Sequence, residues 1–223
     1  MFRIWCSGFK VFLLYSSLLL LTSCAPARYE AYPESGYAVA SWYGRDFHGK
    51  PTSSGEIFDM NALTCAHREY PFGTVLKVTN VSNNKSVDCL VNDRGPFVAG
   101  RDLDLSYAAA REIGLIGTGT CKVKVENIGR DTGYIKEVRY LSREGPFTAQ
   151  VGSFREFSNA KRLKMGLELK YSEVYISETE IDGSTFYRVR VGKFQTKDEV
   201  RHLSEILANE GYSVFITRYD ERI

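Results

Sequence analysis

A gapless repeat leaves this chain few folds to choose from. "FTAQVGSFREFSNAKRLKMGLELKYSEVYI" (147–176) aligns on "YRVRVGKFQTKDEVRHLSEILANEGYSVFIT" (187–217) at an offset of 40 residues. Val151, Gly152 and Phe154 fall on Val191, Gly192 and Phe194, Leu163 and Leu167 on Leu203 and Leu207, and Val174 and Ile176 on Val214 and Ile216. Each copy alternates, turns to a 3.6-residue period, then ends in a β-branched and aromatic run, so each reads strand–helix–strand. Two such units make a βαββαβ layer pair, with both helices on one sheet face. Alternation puts Phe147, Ala149, Val151, Tyr187, Val189 and Val191 on the helix-packed face. It turns Gln150, Arg188 and Arg190 to the open face, where amide and guanidinium groups suit hydroxyls or a carboxylate.

A different block precedes it. "YAVASWYG", "TVLKVTNV", "KSVDCLVN" and "CKVKVENI" are short alternating runs separated by Gly, Asn and Pro. Ser106 is placed to N-cap the segment "YAAAREIG" and Gly114 to end it. Many short strands with one small helix fit a compact barrel. Residues 25–36, "APARYEAYPESG", read as a tether, and residues 130–144, "RDTGYIKEVRYLSRE", as a connector.

The first residues read as a targeting segment. Arg3 and Lys10 make a basic start before an 11-residue, largely apolar run, Val11 to Leu21, too short for a permanent span, and "LTSC" (21–24) follows. Small residues before Cys24 resemble a lipobox. That implies removal of 1–23 and attachment of lipid to Cys24, with Ala25 directing the product to the outer membrane. Residues 1–23 hold two of the 29 basic residues and no acidic one, so the mature balance is 27 − 27 = 0. A neutral chain lacks the basic excess of a nucleic-acid binder. Cys65, Cys89 and Cys121 then remain, enough for one internal bridge with one thiol left over. Their spacing fits no zinc pattern, and with only three histidines no metal is expected.

Family patterns now become recognisable. "ASWYGRDFHGKPTSSGEIFDMNALTCAHREYPFGTVLKVTN", "VNDRGPF" and "LDLSYAAAREIG" resemble the rare lipoprotein A family over about residues 37–129. The resemblance implies a six-stranded double-psi β-barrel and a lytic transglycosylase that favours peptidoglycan glycan stripped of stem peptides. "AQVGSF" and "FYRVRVGKF" resemble the SPOR domain, ferredoxin-like, over residues 145–219. That implies binding to denuded glycan such as forms at division septa, with division-site proteins as partners. The expected organisation is a mainly β domain followed by an α+β domain: signal peptide 1–23, lipidated tether 24–36, barrel 37–129, linker 130–144 and SPOR domain 145–219.

A lytic transglycosylase needs one carboxyl group, first as acid and then as base, because the sugar's own C6 hydroxyl replaces water. The resemblance gives that role to Asp93, with His67 setting its pKa and Glu56 positioning sugar in the same cleft. Tyr43, Gly44 and Arg94 are expected to bind substrate, and no cofactor is expected. Asp104 reads as a structural acid at the helix start, and "RDLDLS" carries an extra acid, Asp102, relative to the family pattern. "TCAH" and "DCLVND" carry cysteines where the family pattern has small or apolar residues, so a Cys65–Cys89 bridge or a pairing with Cys121 would lie near the site. The rival reading is a non-catalytic glycan-binding envelope lipoprotein, in which Asp93 is a turn residue or sugar ligand.

Overall fold

The computed structural model describes residues 34–220. The expected signal segment, with Cys24, lies outside the described residues. Two domains follow one another. The first is a closed barrel of six strands: β1 (Ser35–Tyr43), β2 (Thr64–His67), β3 (Thr74–Asn80), β4 (Ser86–Asp93), β5 (Leu103–Ser106) and β6 (Cys121–Arg130). Their order around the barrel is β1-β5-β2-β4-β3-β6, with β1·β5 and β2·β4 parallel and the other pairs antiparallel. This is the double-psi barrel. Closure leaves no free edge. Alternating inward residues fill it, among them Leu76, Val78, Cys89, Val91, Leu103, Leu105 and Val123.

Helix α1 (Tyr107–Glu112) follows β5 directly. The Ser106 hydroxyl accepts from the Ala109 N–H at 3.1 Å, satisfying a free donor of the first turn. Gly114, at φ +70°, ends the helix where a side chain would be strained. Cys65 and Cys89 form a disulfide between β2 and β4, and Cys121 is free.

The second domain follows the repeat: β8 (Phe147–Phe154), α2 (Phe157–Leu167), β9 (Val174–Ile181), β10 (Ser184–Phe194), α3 (Lys197–Asn209) and β11 (Val214–Arg218). Its glycines have a shared cause. A Cβ on Gly192 would lie 2.4 Å from the Phe194 ring, and one on Gly152 would lie 2.7 Å from the Phe154 ring. In each copy the aromatic two residues on folds back over the glycine. The helices differ at their starts. Thr196 and Glu199 form a reciprocal capping box on α3, whereas Glu156 makes no side-chain cap on α2.

The sheet departs from expectation in one respect. An extra strand, β7 (Val138–Tyr140), comes from the expected connector, and the sheet order is β7-β11-β8-β10-β9. β7 pairs parallel with β11, so it covers an edge that would otherwise be open.

The domains are riveted together. Arg94 leaves the end of β4, is fully buried, and donates from Nε to the Tyr212 hydroxyl at 2.8 Å and from an Nη to the Tyr70 carbonyl at 2.9 Å. Its guanidinium lies 3.8 Å from the Phe72 ring centre, a cation over an aromatic face. A Cβ on Gly166 of α2 would meet the Arg94 side chain at 2.9 Å, so glycine is what lets α2 come this close. The Phe72 N–H donates to the Glu210 carbonyl at 2.9 Å, and Arg130 bridges the Phe72 and Asn209 carbonyls.

Candidate active site

Asp93 is the last residue of β4 and is buried. Its Oδ1 accepts from the Ser53 N–H at 2.8 Å and from the Arg94 N–H at 2.7 Å. Two backbone donors fix the carboxyl plane without relying on flexible side chains. Its Oδ2 faces an Nη of Arg162, 3.2 Å away on α2 of the second domain. Gly95 follows at φ +130°, a region closed to other side chains, so the chain leaves the strand at once and the carboxyl stays at the rim.

Asp93 opens into a cavity of about 620 Å³, lined also by Trp42, Tyr43, Gly44, Phe97 and Arg162. That volume suits a drug-sized ligand. Tyr43 stacks on Phe58 with ring centres 4.3 Å apart. Burial, then the Asp93 charge, pushes its phenol well above the usual range, so it stays a proton donor. A Cβ on Gly44 would meet the Trp42 ring at 2.9 Å, so the glycine makes room for the aromatic wall. Asp104 also lines the cavity, but Ser41 and Arg101 hold its oxygens. Asp102 accepts from the Val39 N–H at 2.9 Å.

The expected trio does not share one cavity lining. Neither Glu56 nor His67 lines the space onto which Asp93 opens. The Glu56 carboxylate accepts from Asn92 Nδ2 at 2.8 Å and from the Tyr134 hydroxyl at 2.5 Å. Burial, then the bond to Glu56, raises the Tyr134 phenol. The Glu56 carbonyl accepts from the Thr52 N–H at 2.7 Å, closing the loop whose Ser53 N–H holds Asp93. Glu56 is thus connected to Asp93 through that loop and through Asn92, its chain neighbour.

The His67 Nδ1 accepts from the Glu69 and Tyr70 N–H groups, both at 3.1 Å. An imidazole accepting at Nδ1 carries its proton at Nε2 and is neutral. Desolvation first, then the Arg94, Arg68 and Lys170 charges, lower its pKa to about 3. His67 is therefore held neutral at neutral pH, which speaks against the charge-partner half of the hydrogen-bonding or charge-partner role expected for it beside Asp93. Arg94 also departs from its expected substrate-binding role. It touches the cavity wall, but its guanidinium is engaged by Tyr212, Tyr70 and the Phe72 ring.

In the second sheet, Tyr175, Arg190, Gln150 and Phe215 sit in one cross-strand register. Gln150 is part-buried, beside a smaller cavity of about 170 Å³ that also touches Ser53–Gly55 of the barrel. Arg188 is also part-buried. Arg190 is only 2% exposed and pairs with Asp220 near the C-terminus, so it is covered where an open guanidinium was expected.

Arg162 was not legible as a site residue. It sits in a basic helical run, "AKRLK", like any solvated lysine or arginine, and only the docking of α2 reveals it. Among the described residues, no group of three or more His, Cys, Asp or Glu side chains could hold a metal ion, and no helix is long and apolar enough to cross a membrane.

Fold and site together define a lytic transglycosylase barrel joined to a SPOR domain. Residues 36–125 match the family model described as lytic transglycolase, and residues 144–218 match that of the SPOR domain. The endolytic peptidoglycan transglycosylase RlpA of Campylobacter jejuni is 38% identical over 187 residues, covering 75% of this chain and 67% of that one. RlpA of Vibrio cholerae is 37% identical over 194 residues, covering 86% and 72%. The solved SPOR domain of Pseudomonas aeruginosa RlpA is 29% identical, covers 33% of this chain and 99% of its own, and has a TM-score of 0.30. This chain belongs to the RlpA family of endolytic peptidoglycan transglycosylases.

Proposed function

We propose that this enzyme cuts the β-1,4 bond between N-acetylmuramic acid and N-acetylglucosamine in glycan strands lacking stem peptides, with Asp93 as both acid and base. The observation that carries this reading is the Asp93 carboxyl. Two backbone N–H groups clamp one of its oxygens, and the residue opens onto an aromatic-walled cavity.

Asp93 gives its proton to the departing glycosidic oxygen as the bond to the muramic C1 breaks. The muramic C6 hydroxyl then closes on C1 and returns its proton to Asp93, leaving a 1,6-anhydro end and consuming no water. Trp42 offers an apolar face to the sugar ring, and Tyr43, stacked on Phe58, forms the wall beside it. Glu56 acts as a positioning residue through the 52–56 loop, and His67 as a neutral brace for residues 67–70. Gln150 and Arg188 hold glycan on the second sheet. Lipid on Cys24 would keep the enzyme at the outer membrane facing the periplasm, and the SPOR domain would gather it at septa rich in stripped glycan.

The test is digestion of purified glycan, with and without stem peptides, by the chain from residue 25 onward, read by mass spectrometry. Anhydro ends should form from stripped glycan. Asp93→Asn should lower their rate by about a thousandfold or more, the scale of removing a general acid together with its charge. New reducing ends would indicate a hydrolase. Folded protein that binds glycan but releases no fragments would favour the binding lipoprotein.

A further inference from the structure

Arg162 belongs by sequence to the second domain and by position to the barrel's cavity. It lies within the SPOR match, on α2, yet lines the space onto which Asp93 opens. Its guanidinium lies 5.3 Å from the centre of the Phe47 ring, another wall of that cavity.

The other arginines of the lining are differently placed. Arg94 is clamped in the domain seam, Arg101 holds Asp104, and Arg45 is exposed on a loop. Arg162 touches Asp93 through one Nη at 3.2 Å, and its side chain is 22% exposed. A guanidinium fork is built to hold a carboxylate with two parallel bonds. A single contact on Asp93 does not use that fork fully.

We propose that Arg162 is the specificity residue that reads the free lactyl carboxylate of a peptide-free muramic acid. This rests on the glycan-cleaving reading above and adds the residue that selects the substrate. When a stem peptide is attached, that carboxylate is an amide, which offers no charge to the fork. When the peptide is gone, the sugar's carboxylate competes with Asp93 for Arg162. Asp93 Oδ1 stays held by Ser53 and Arg94, while Oδ2 is released toward the glycosidic oxygen. One ion pair is exchanged for another, so substrate binding uncovers the acid. The second domain thereby completes the cavity of the first.

The test uses the chain from residue 25 onward and two probes: stripped glycan, and the same glycan with its lactyl carboxylates coupled to methylamine. The wild-type enzyme should favour the free acid by about 10- to 100-fold in kcat/KM, the range for a hydrogen bond to a charged group. Arg162→Gln should bring the two substrates within about threefold of each other, mainly by raising KM for the free acid. Arg162→Lys should keep part of the preference, because it keeps the charge and loses the fork. Thermal unfolding checks that each variant is folded.

Full preference surviving in Arg162→Gln would overturn the proposal. So would no preference in the wild type, or faster cutting of both probes by Arg162→Gln, which would make Arg162 only a cover over Asp93. If the wild type released no anhydro ends, the glycan-cleaving reading would fail by itself. Retention of the two probes by wild type and Arg162→Gln would still judge Arg162, since a reader of the carboxylate loses its selectivity for the free acid on substitution.

Discussion

The barrel cavity and the second sheet are the two places proposed to hold glycan, and they hold their polar groups by opposite means. In the cavity, backbone donors from Ser53 and Arg94 fix the acid, and aromatic side chains supply the wall. On the sheet, polar and aromatic side chains stand in a row across four strands, and the chain's own Asp220 engages the most deeply buried of them, Arg190. Chemistry demands one group in one orientation, which backbone can enforce. Retention of a polymer is served by several modest contacts, each of which can be lost without abolishing the rest.

The strongest way to break this contrast is to cut the seam that joins the two regions. Arg94→Ala removes a buried cation from Tyr212, Tyr70 and Phe72. Losing a buried, hydrogen-bonded charge and its packing should cost about 3 kcal/mol or more. Denaturant unfolding should separate into two transitions, with the Arg162 contribution to selectivity lost as well. A single transition at the wild-type midpoint would mean that the domains do not depend on this residue.

A smaller effect concerns acid. The folded His67 pKa, about 3, lies below its ordinary value near 6.5, so between those limits the unfolded chain binds the extra proton. Stability from this group is fully present above about pH 6.5 and falls as pH drops toward 3. From pH 6.5 to 5 the loss should be about 2 kcal/mol. His67→Gln should flatten that slope, and its activity profile near neutral pH should keep the wild-type shape. A neutral-range inflection that vanishes in the variant would restore the charged-partner role.

The smallest effect sharpens the contrast. Arg188→Ala should weaken retention of long stripped glycan by about 1 kcal/mol, roughly fivefold, while turnover of short fragments that occupy only the cavity stays unchanged. Equal loss in both assays would place Arg188 in the catalytic region instead.

Local signals account for what the sequence disclosed. Ser106 and Gly114 mark a helix by capping chemistry, the VGxF pairs mark two strand ends, and "VNDRGPF" puts Asp93 before a glycine that must turn. Nonlocal placement accounts for the rest. The three residues of β7 are too few to show alternation, and they become a strand by pairing with β11. Three thiols left the bridge open until parallel β2 and β4 brought the Cys65 and Cys89 Cα atoms to 5.9 Å. Arg162 needed the docked helix, and the covering of Arg190 needed the C-terminal turn that brings Asp220 back.

The joint between the domains has a consequence for what the enzyme can measure. Only residues 131–137 lie between β6 and β7, and they are stitched on both sides: Asp131 to Gly73, Tyr134 to Glu56, and Lys136 to Ala208. Such a joint has no slack, and the molecule resembles a blade set in its stock rather than one on a leash. The distance from gripped sugar to severed bond is then a property of the body. Strands shorter than that span should lose the grip of the second domain abruptly, at one threshold length, instead of fading with each sugar removed.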